Sequence, residues 1–316
     1  MRSTRSFVRE REREAVAGWA VARPPWPSRT VGVSLAGFRD YSTGTVDVPV
    51  VPHPAVTLVL EFGDGSLVVG DASGRQQGGS LVAGLAPGAV RMRGENVACV
   101  EVHLSPVVAY AVLGVCPAEL DRTVVALDDL WGRDASRIRE QLGDSPSWED
   151  RFALTDVLLA RRRETGPLVD PEVVRVWDRI VVSRGLAKVE DLAVEVGWSR
   201  RRLWSRFRSQ IGLPPKRAAT LVRFRHAAHG LAAGNSAVRV AAECGYVDQS
   251  HLHREVVAFT GMTPATLAGD PGLEVDDIAW ARTASARRTA NPPHSAPTGR
   301  GGHSDGVQRR VTSTDL

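Results

Sequence analysis

The 316-residue sequence holds only three cysteines, Cys99, Cys116 and Cys244, far apart and without a C-x-x-C spacing. That excludes a disulfide framework and a zinc finger, and makes reduced thiols in a cytoplasmic setting the expectation. Long apolar runs are also missing; the longest are too short to span a bilayer, so no membrane partner is expected. The N-terminus, MRSTRSFVREREREAVAG, lacks the apolar stretch of about 7–15 residues that a secretory leader needs. Signatures of catalysis are absent as well: there is no G-x-S-x-G, no G-x-x-x-x-G-K-[ST], and no cysteine beside a plausible base. No catalytic residue and no cofactor follows. Aromatics contribute 6% of residues, but 43% are apolar and 24% charged, as in a soluble globular protein with room for two domains and a tail.

The most informative stretch is residues 236–264, NSAVRVAAECGYVDQSHLHREVVAFTGMTP with its preceding Asn235. Ser236 can cap a helix whose apolar positions Val238, Ala241 and Ala242 recur at i, i+3 and i+4. Gly245 ends that helix, because glycine tolerates the positive φ of a sharp reversal, and Asp248 can cap the next one. In the second helix Leu252, Val256 and Phe259 form one stripe, and Gln249, Ser250, His253 and Arg254 lie away from it. This is a helix-turn-helix. The same grammar occurs earlier: Leu192, Ala193 and Val196 precede Gly197, and Ser199 caps a helix with Leu203, Phe207 and Ile211 inward. From Gly197 to Arg254, 11 Lys+Arg face two acids, a net +9 within a chain that totals +4. Such a local excess is the electrostatic footprint of a duplex-binding face.

Two units of this kind, the second reading G-Y-x-D-Q-S-H-L-x-R and closing on T-G-M-T-P, resemble the DNA-binding domain of AraC/XylS-type transcriptional regulators. The resemblance covers roughly 100 residues, from Glu172 to Ala268. It departs from the family at Ser205, where arginine is common, and at Val256, where phenylalanine is common. It implies double-stranded DNA and RNA polymerase as partners, a small-molecule effector, and a homodimer.

The rest of the chain divides accordingly. Residues 1–27 read as an exposed N-terminal helix or arm, with charges alternating from Arg9 to Glu14. Residues 28–164 read as a sensory and dimerisation domain. Its β-prone runs are Val31–Phe38, Thr57–Phe62, Leu67–Val69, Leu81–Leu85 and Val97–Leu104, which suggest an antiparallel sandwich or barrel. Asp64-Gly65 predicts a tight hairpin. This half resembles the degenerate cupin-like sensory domain of many AraC-type proteins. Helical periodicity follows from Pro106, interrupted by a connecting segment at Asp121–Gly132. A linker is expected at 165–171, the DNA-binding domain at 172–269 and a largely disordered tail at 270–316. The fold class is thus α+β in two domains: an N-terminal antiparallel β half with flanking helices, and a C-terminal all-α tandem helix-turn-helix. Between the two units, Pro215 to Gly234 predicts a connecting helix of about 18 residues and about 27 Å, near the ~34 Å of one duplex turn.

The candidate DNA-binding residues are Arg201, Arg202, Trp204, Ser205 and Arg208 on the first recognition helix, Lys216 on the connecting helix, and Gln249, Ser250, His253 and Arg254 on the second. Arginine can bond guanine O6 and N7 together, and glutamine suits adenine N6 and N7. Arg201 is the leading base reader, the position at which the family makes base contacts. Lys216 and the neighbouring Arg217 suit backbone phosphate. Trp204 falls beside the core stripe, where packing competes with a thymine methyl, and Arg254 could instead pair with Glu243. Metal binding is not expected: His251 and His253 diverge on a helix, and no acid stands near His226 and His229 in sequence. His53, Glu61, Glu101 and His103 could converge in the β half, but without the spacing of a metal-bearing cupin. The alternative reading is a cupin-type small-molecule or metal-dependent enzyme with an accessory nucleic-acid-binding half.

Overall fold

The computed structural model describes residues 13–16, 18–71, 74–85, 88–120 and 123–285. The described residues up to Ala281 form one compact unit; of residues 282–316 only the end of one helix is described. The N-terminal half is a sandwich of two antiparallel sheets. Its strands are β1 (Arg13–Val16), β2 (Trp19–Ala22), β3 (Val33–Asp40), β4 (Val46–Val50), β5 (Val56–Glu61), β6 (Ser66–Asp71), β7 (Gln76–Gly78), β8 (Leu81–Ala83), β9 (Val90–Glu95), β10 (Ala98–Leu104) and β11 (Val124–Ala126). One sheet has the order β1-β2-β3-β10-β5-β8-β11, the other β4-β9-β6-β7.

The larger sheet is covered on both faces, so its central strands are apolar almost throughout. On β10, Val100, Val102 and Leu104 face the helices, and Cys99 faces the space between the sheets with Phe38, Val59, Leu67 and Val69. The alternation then places Glu101 and His103 on that inner face. Their positions opposite Val59 and Thr57 of β5 carry them toward one end of the sandwich.

Packed on the outer face are α1 (Pro106–Leu113), a 3-10 turn (Pro117–Leu120), α2 (Leu127–Trp131), α3 (Arg133–Asp144) and α4 (Trp148–Thr165). Gly37 of β3 lets this layer close: a Cβ there would lie 2.3 Å from the Trp148 ring. The C-terminal half is all helical, with α5 (Pro171–Val182), α6 (Val189–Glu195), α7 (Arg200–Ile211), α8 (Pro215–Ala232), α9 (Ala237–Glu243), α10 (Gln249–Thr260), α11 (Pro264–Ala268) and α12 (Pro271–Ser285). The expected two-part architecture is therefore observed.

Several expectations are overturned. Arg13–Val16 and Trp19–Ala22 are strands at the margin of the larger sheet, with Trp19 and Val21 buried, not an exposed helix or arm. The rest of that arm, residues 1–12, lies outside the described residues. Asp64-Gly65 does not close a hairpin, since β5 and β6 belong to different sheets. Gly65 serves a close approach instead: a Cβ would sit 2.1 Å from the Asn96 carbonyl oxygen on the β9–β10 crossover between sheets. The segment read as a connection contains β11 and α2. The region read as a disordered tail begins with α12, whose Val275 and Ala279 enter the intersheet core; residues 286–316 lie outside the described residues. Among the described residues no helix is long and apolar enough to cross a membrane.

Candidate nucleic-acid interface

Each helix-turn-helix is built by local chemistry. The hydroxyl of Ser199 accepts from the Arg202 amide to start α7, and Ser236 and Asp248 accept from the amides of Arg239 and His251 to start α9 and α10. Gly197 and Gly245 turn the chain at φ 65° and 70°, in the left-handed region. Leu203, Phe207 and Ile211 of α7, and Leu252, Val256 and Phe259 of α10, are each 0% exposed. On α9 the inward face differs from the expected one: Val240 and Ala241 are buried, and Val238 is 64% exposed. On so short a helix, α8 and α10 pack against the face that Val240 and Ala241 share.

Burying those stripes aims the opposite arcs at solvent. Arg201, Arg202, Trp204, Ser205 and Arg208 on α7, Lys216 at the start of α8, and Gln249, Ser250, His253 and Arg254 on α10 are all exposed. Trp204 is 47% exposed and packs under Arg208, whose guanidinium carbon is 5.3 Å from its ring; Arg202 lies 4.6 Å over Trp198. These arginines are pre-oriented by aromatic faces.

Several acids of this half are engaged within it. Glu195 accepts from Arg175 and Arg179 at 3.0 Å each, and Arg175 is the foremost of the two in holding its carboxyl below the usual range. Glu190 pairs with Arg200 at 3.4 Å, and Asp170 accepts both branches of Arg206 at 2.8 Å. Glu243 pairs with Arg239 at 2.7 Å, so the internal partner considered for Arg254 is taken. Arg201, Lys216 and Arg254 make no ion pair among the described residues.

Sequence reasoning missed the network that seats α10. Glu255 accepts from the Tyr246 hydroxyl at 2.6 Å and from Arg223 of α8 at 2.9 Å, with His251 Nε2 at 3.9 Å. Burial, then the Glu255 carboxylate, pushes the Tyr246 hydroxyl far above its ordinary pKa, so it stays a donor. Tyr246, quoted above only as part of the G-Y-x-D-Q-S-H motif, and His251, weighed otherwise only as a metal ligand, thus position the helix from below. Beneath them Phe224 stacks on Phe259 at 4.6 Å. Arg206 was likewise passed over; its salt bridge anchors α7 to Asp170 just before α5.

The histidine readings also change. His229 has an acidic neighbour after all, Asp277 of α12, with Nδ1 2.6 Å from Oδ1. In the β half, His53 and His103 do converge, their rings 4.1 Å apart, and His103 Nε2 donates to Glu101 at 2.8 Å. Glu61 turns away toward Arg139, 3.6 Å distant. Among the described residues no three His, Cys, Asp or Glu side chains are grouped to hold a metal ion.

Residues 192–269 match the family model described as a helix-turn-helix domain. Residues 192–269 thus form a helix-turn-helix domain of the AraC type. Among solved structures, ToxT from Vibrio cholerae O395 is similar at 9% identity and a TM-score of 0.42, covering 76% of this chain and 98% of that one. The same protein bound to (E)-4-(8-methylnaphthalen-1-yl)but-3-enoic acid gives 10% identity and 0.45, covering 76% and 99%. The AraC-like transcriptional activator CuxR gives 16% identity and 0.22, covering 69% and 89%. No curated protein matches the chain.

Proposed function

We propose that this protein is a sequence-specific double-stranded DNA-binding transcriptional regulator, not an enzyme, whose N-terminal half binds a small-molecule effector. One observation carries the reading: two glycine-hinged helix-turn-helix units bury their apolar stripes and present arginine, glutamine, serine and histidine to solvent, with Glu190, Glu195 and Glu243 nearby held in internal ion pairs. Arg201 and Gln249 are the base readers, Arg202 and Arg208 follow, and Trp204 and Ser205 complete the contact of α7. Lys216, Ser250, His253 and Arg254 hold phosphate. The 18-residue α8, about 27 Å long, joins the two units, a length suited to setting their recognition helices in successive major grooves. The effector site is the intersheet cavity, of about 390 Å³, within the range of small-molecule pockets. RNA polymerase and a second copy of the chain are the proposed protein partners.

The test is anisotropy titration on a duplex selected from a random library. Arg201→Ala is expected to cost about 1–3 kcal/mol on the selected site and little on random duplex. Lys216→Ala is expected to weaken both alike and to lower the salt slope by about one. Equal loss on both duplexes for Arg201→Ala would overturn its base-reading role, and indifference to every duplex at low salt would overturn the proposed function.

A further inference from the structure

Helix α12 leaves the DNA-binding half and returns to the end of the sandwich, where it does two things. One face closes the cavity: Gly272, Val275 and Asp276 line it together with Val59, Leu67 and Met92 of the sheets. Asp276 and the adjoining Asp277 also grip α8, the helix that joins the two DNA-binding units. Asp276 accepts from Arg225 through one oxygen and, at 2.8 Å, from His53 Nε2 through the other. Asp277 meets His229, one turn along α8 from Arg225. Trp280 stacks on His103 at 3.7 Å, completing the contact with β10. A single carboxylate thus joins a side chain of the cavity wall to a buried side chain of α8.

The charged side chains that line the cavity are carboxylates, and the bases paired with two of them, Arg225 with Asp276 and Arg91 and Arg93 with Asp47, stand behind the wall. Asp47, Glu101 and Asp276 contribute carboxylates, and among the described residues that line it there is no lysine or arginine. Its histidine, His53, is uncharged at neutral pH, because burial and then the Arg225 charge press its imidazole down to about 3. An anion entering here would meet carboxylates and an uncharged imidazole at the wall, with Arg225 already engaged behind Asp276, and would be desolvated at a cost.

On the reading that this half binds an effector, we propose that the cavity takes an apolar molecule without negative charge, and that α12 is the latch that reports its occupancy to α8. Because α12 supplies part of the wall, a ligand binds best when the helix is docked, and by linkage it strengthens the hold of Asp276 and Asp277 on Arg225 and His229. Occupancy therefore fixes how the two DNA-binding units are held against the sandwich.

Two dyes sharing one aromatic skeleton test this on the full chain: uncharged N-phenyl-1-naphthylamine and 8-anilinonaphthalene-1-sulfonate. Fluorescence titration is expected to show the uncharged dye binding at least about tenfold more tightly. Amide hydrogen exchange is expected to slow at 271–281 and at 225–233 when it is bound. Asp276→Asn should weaken the uncharged dye about fivefold and speed exchange in both segments without dye. Asp277→Asn, outside the cavity lining and half exposed, should do the same more weakly, and keeps the test valid if Asp276→Asn does not fold. Dye bound with unchanged exchange in α12, or wild-type behaviour of both variants, would overturn the latch. Equal binding of the sulfonate would overturn the charge assignment. If neither dye bound, the effector site itself would fall, whereas the duplex titrations above would judge the DNA-binding reading separately.

Discussion

Replacing each hinge glycine by alanine separates two physical effects that the elbows combine. Gly197 and Gly245 have nearly equal φ, 65° and 70°, so backbone strain is nearly equal. An L-residue there costs about 1–2 kcal/mol, partly offset by about 0.4–1 kcal/mol from a less flexible unfolded chain. Surroundings differ, however. A Cβ at Gly197 meets nothing within 4 Å, but at Gly245 it lies 2.6 Å from Leu186 Cδ2. Leu186 is 52% exposed and can move, so the clash adds no more than about 1 kcal/mol. Urea unfolding of the full chain should thus show Gly197→Ala destabilised by about 1 kcal/mol and Gly245→Ala by about 1–2 kcal/mol. Leu186→Ala in the second background should bring the two together, a positive coupling in a double-mutant cycle. Gly245→Val should lose stability before DNA affinity, because a β-branched residue resists positive φ further. Equal stability of the two alanine variants, or no coupling to Leu186, would refute the reasoning.

Other consequences can be measured alongside. Arg206→Ala should cost up to about 1 kcal/mol of stability through the partly exposed Asp170 pair, and leave base preference unchanged in a duplex selection; a changed preference would move Arg206 into the interface. Trp204→Ala should shift stability by no more than about 0.5 kcal/mol, since 47% of the residue is exposed, and should weaken duplex binding; a large loss of stability would make it a core residue. His53 gives a pH dependence. Its folded pKa, about 3, lies below the ordinary 6.5, so between these values the unfolded chain binds a proton that the folded chain does not. Stability therefore falls as pH drops below about 6.5, by about 2 kcal/mol at pH 5. His53→Gln should flatten the urea midpoint between pH 7 and pH 5; an unchanged slope would show that another group governs it.

The DNA-binding half was legible because its determinants are local. Capping serines, Asp248, the hinge glycines and the inward stripes all act within about four residues, the range over which helix periodicity speaks. The sandwich was only half legible. β10 and β5 read as strands because both faces are covered, but β9, VRMRGE, carries arginines at the surface of the smaller sheet and hid. Asp64-Gly65 misled because a short glycine turn between two strands looks the same whether they pair or cross to opposite sheets. The α7 and α10 candidates lie on exposed arcs, whereas the Arg225 and His229 partners could not be found: Asp276 lies 51 residues from Arg225, on a helix that the composition of the C-terminal region masked as part of a tail. Val238 misled on α9 because seven residues leave several stripes equally consistent with the spacing.

The end of α7 is seated on the N-terminal half. The Cys116 thiol donates to the Ser209 carbonyl at 2.8 Å, and a Cβ on Gly212 would come within 2.7 Å of the Pro117 carbonyl oxygen. A chimera joined in the short segment between α4 and α5 would therefore splice two surfaces that have to match. Exchanging sensory halves between relatives would succeed only if the 116–120 turn travelled with α7, or if that seat were rebuilt; the modular cut suggested by the chain's two-part layout runs through a fitted joint.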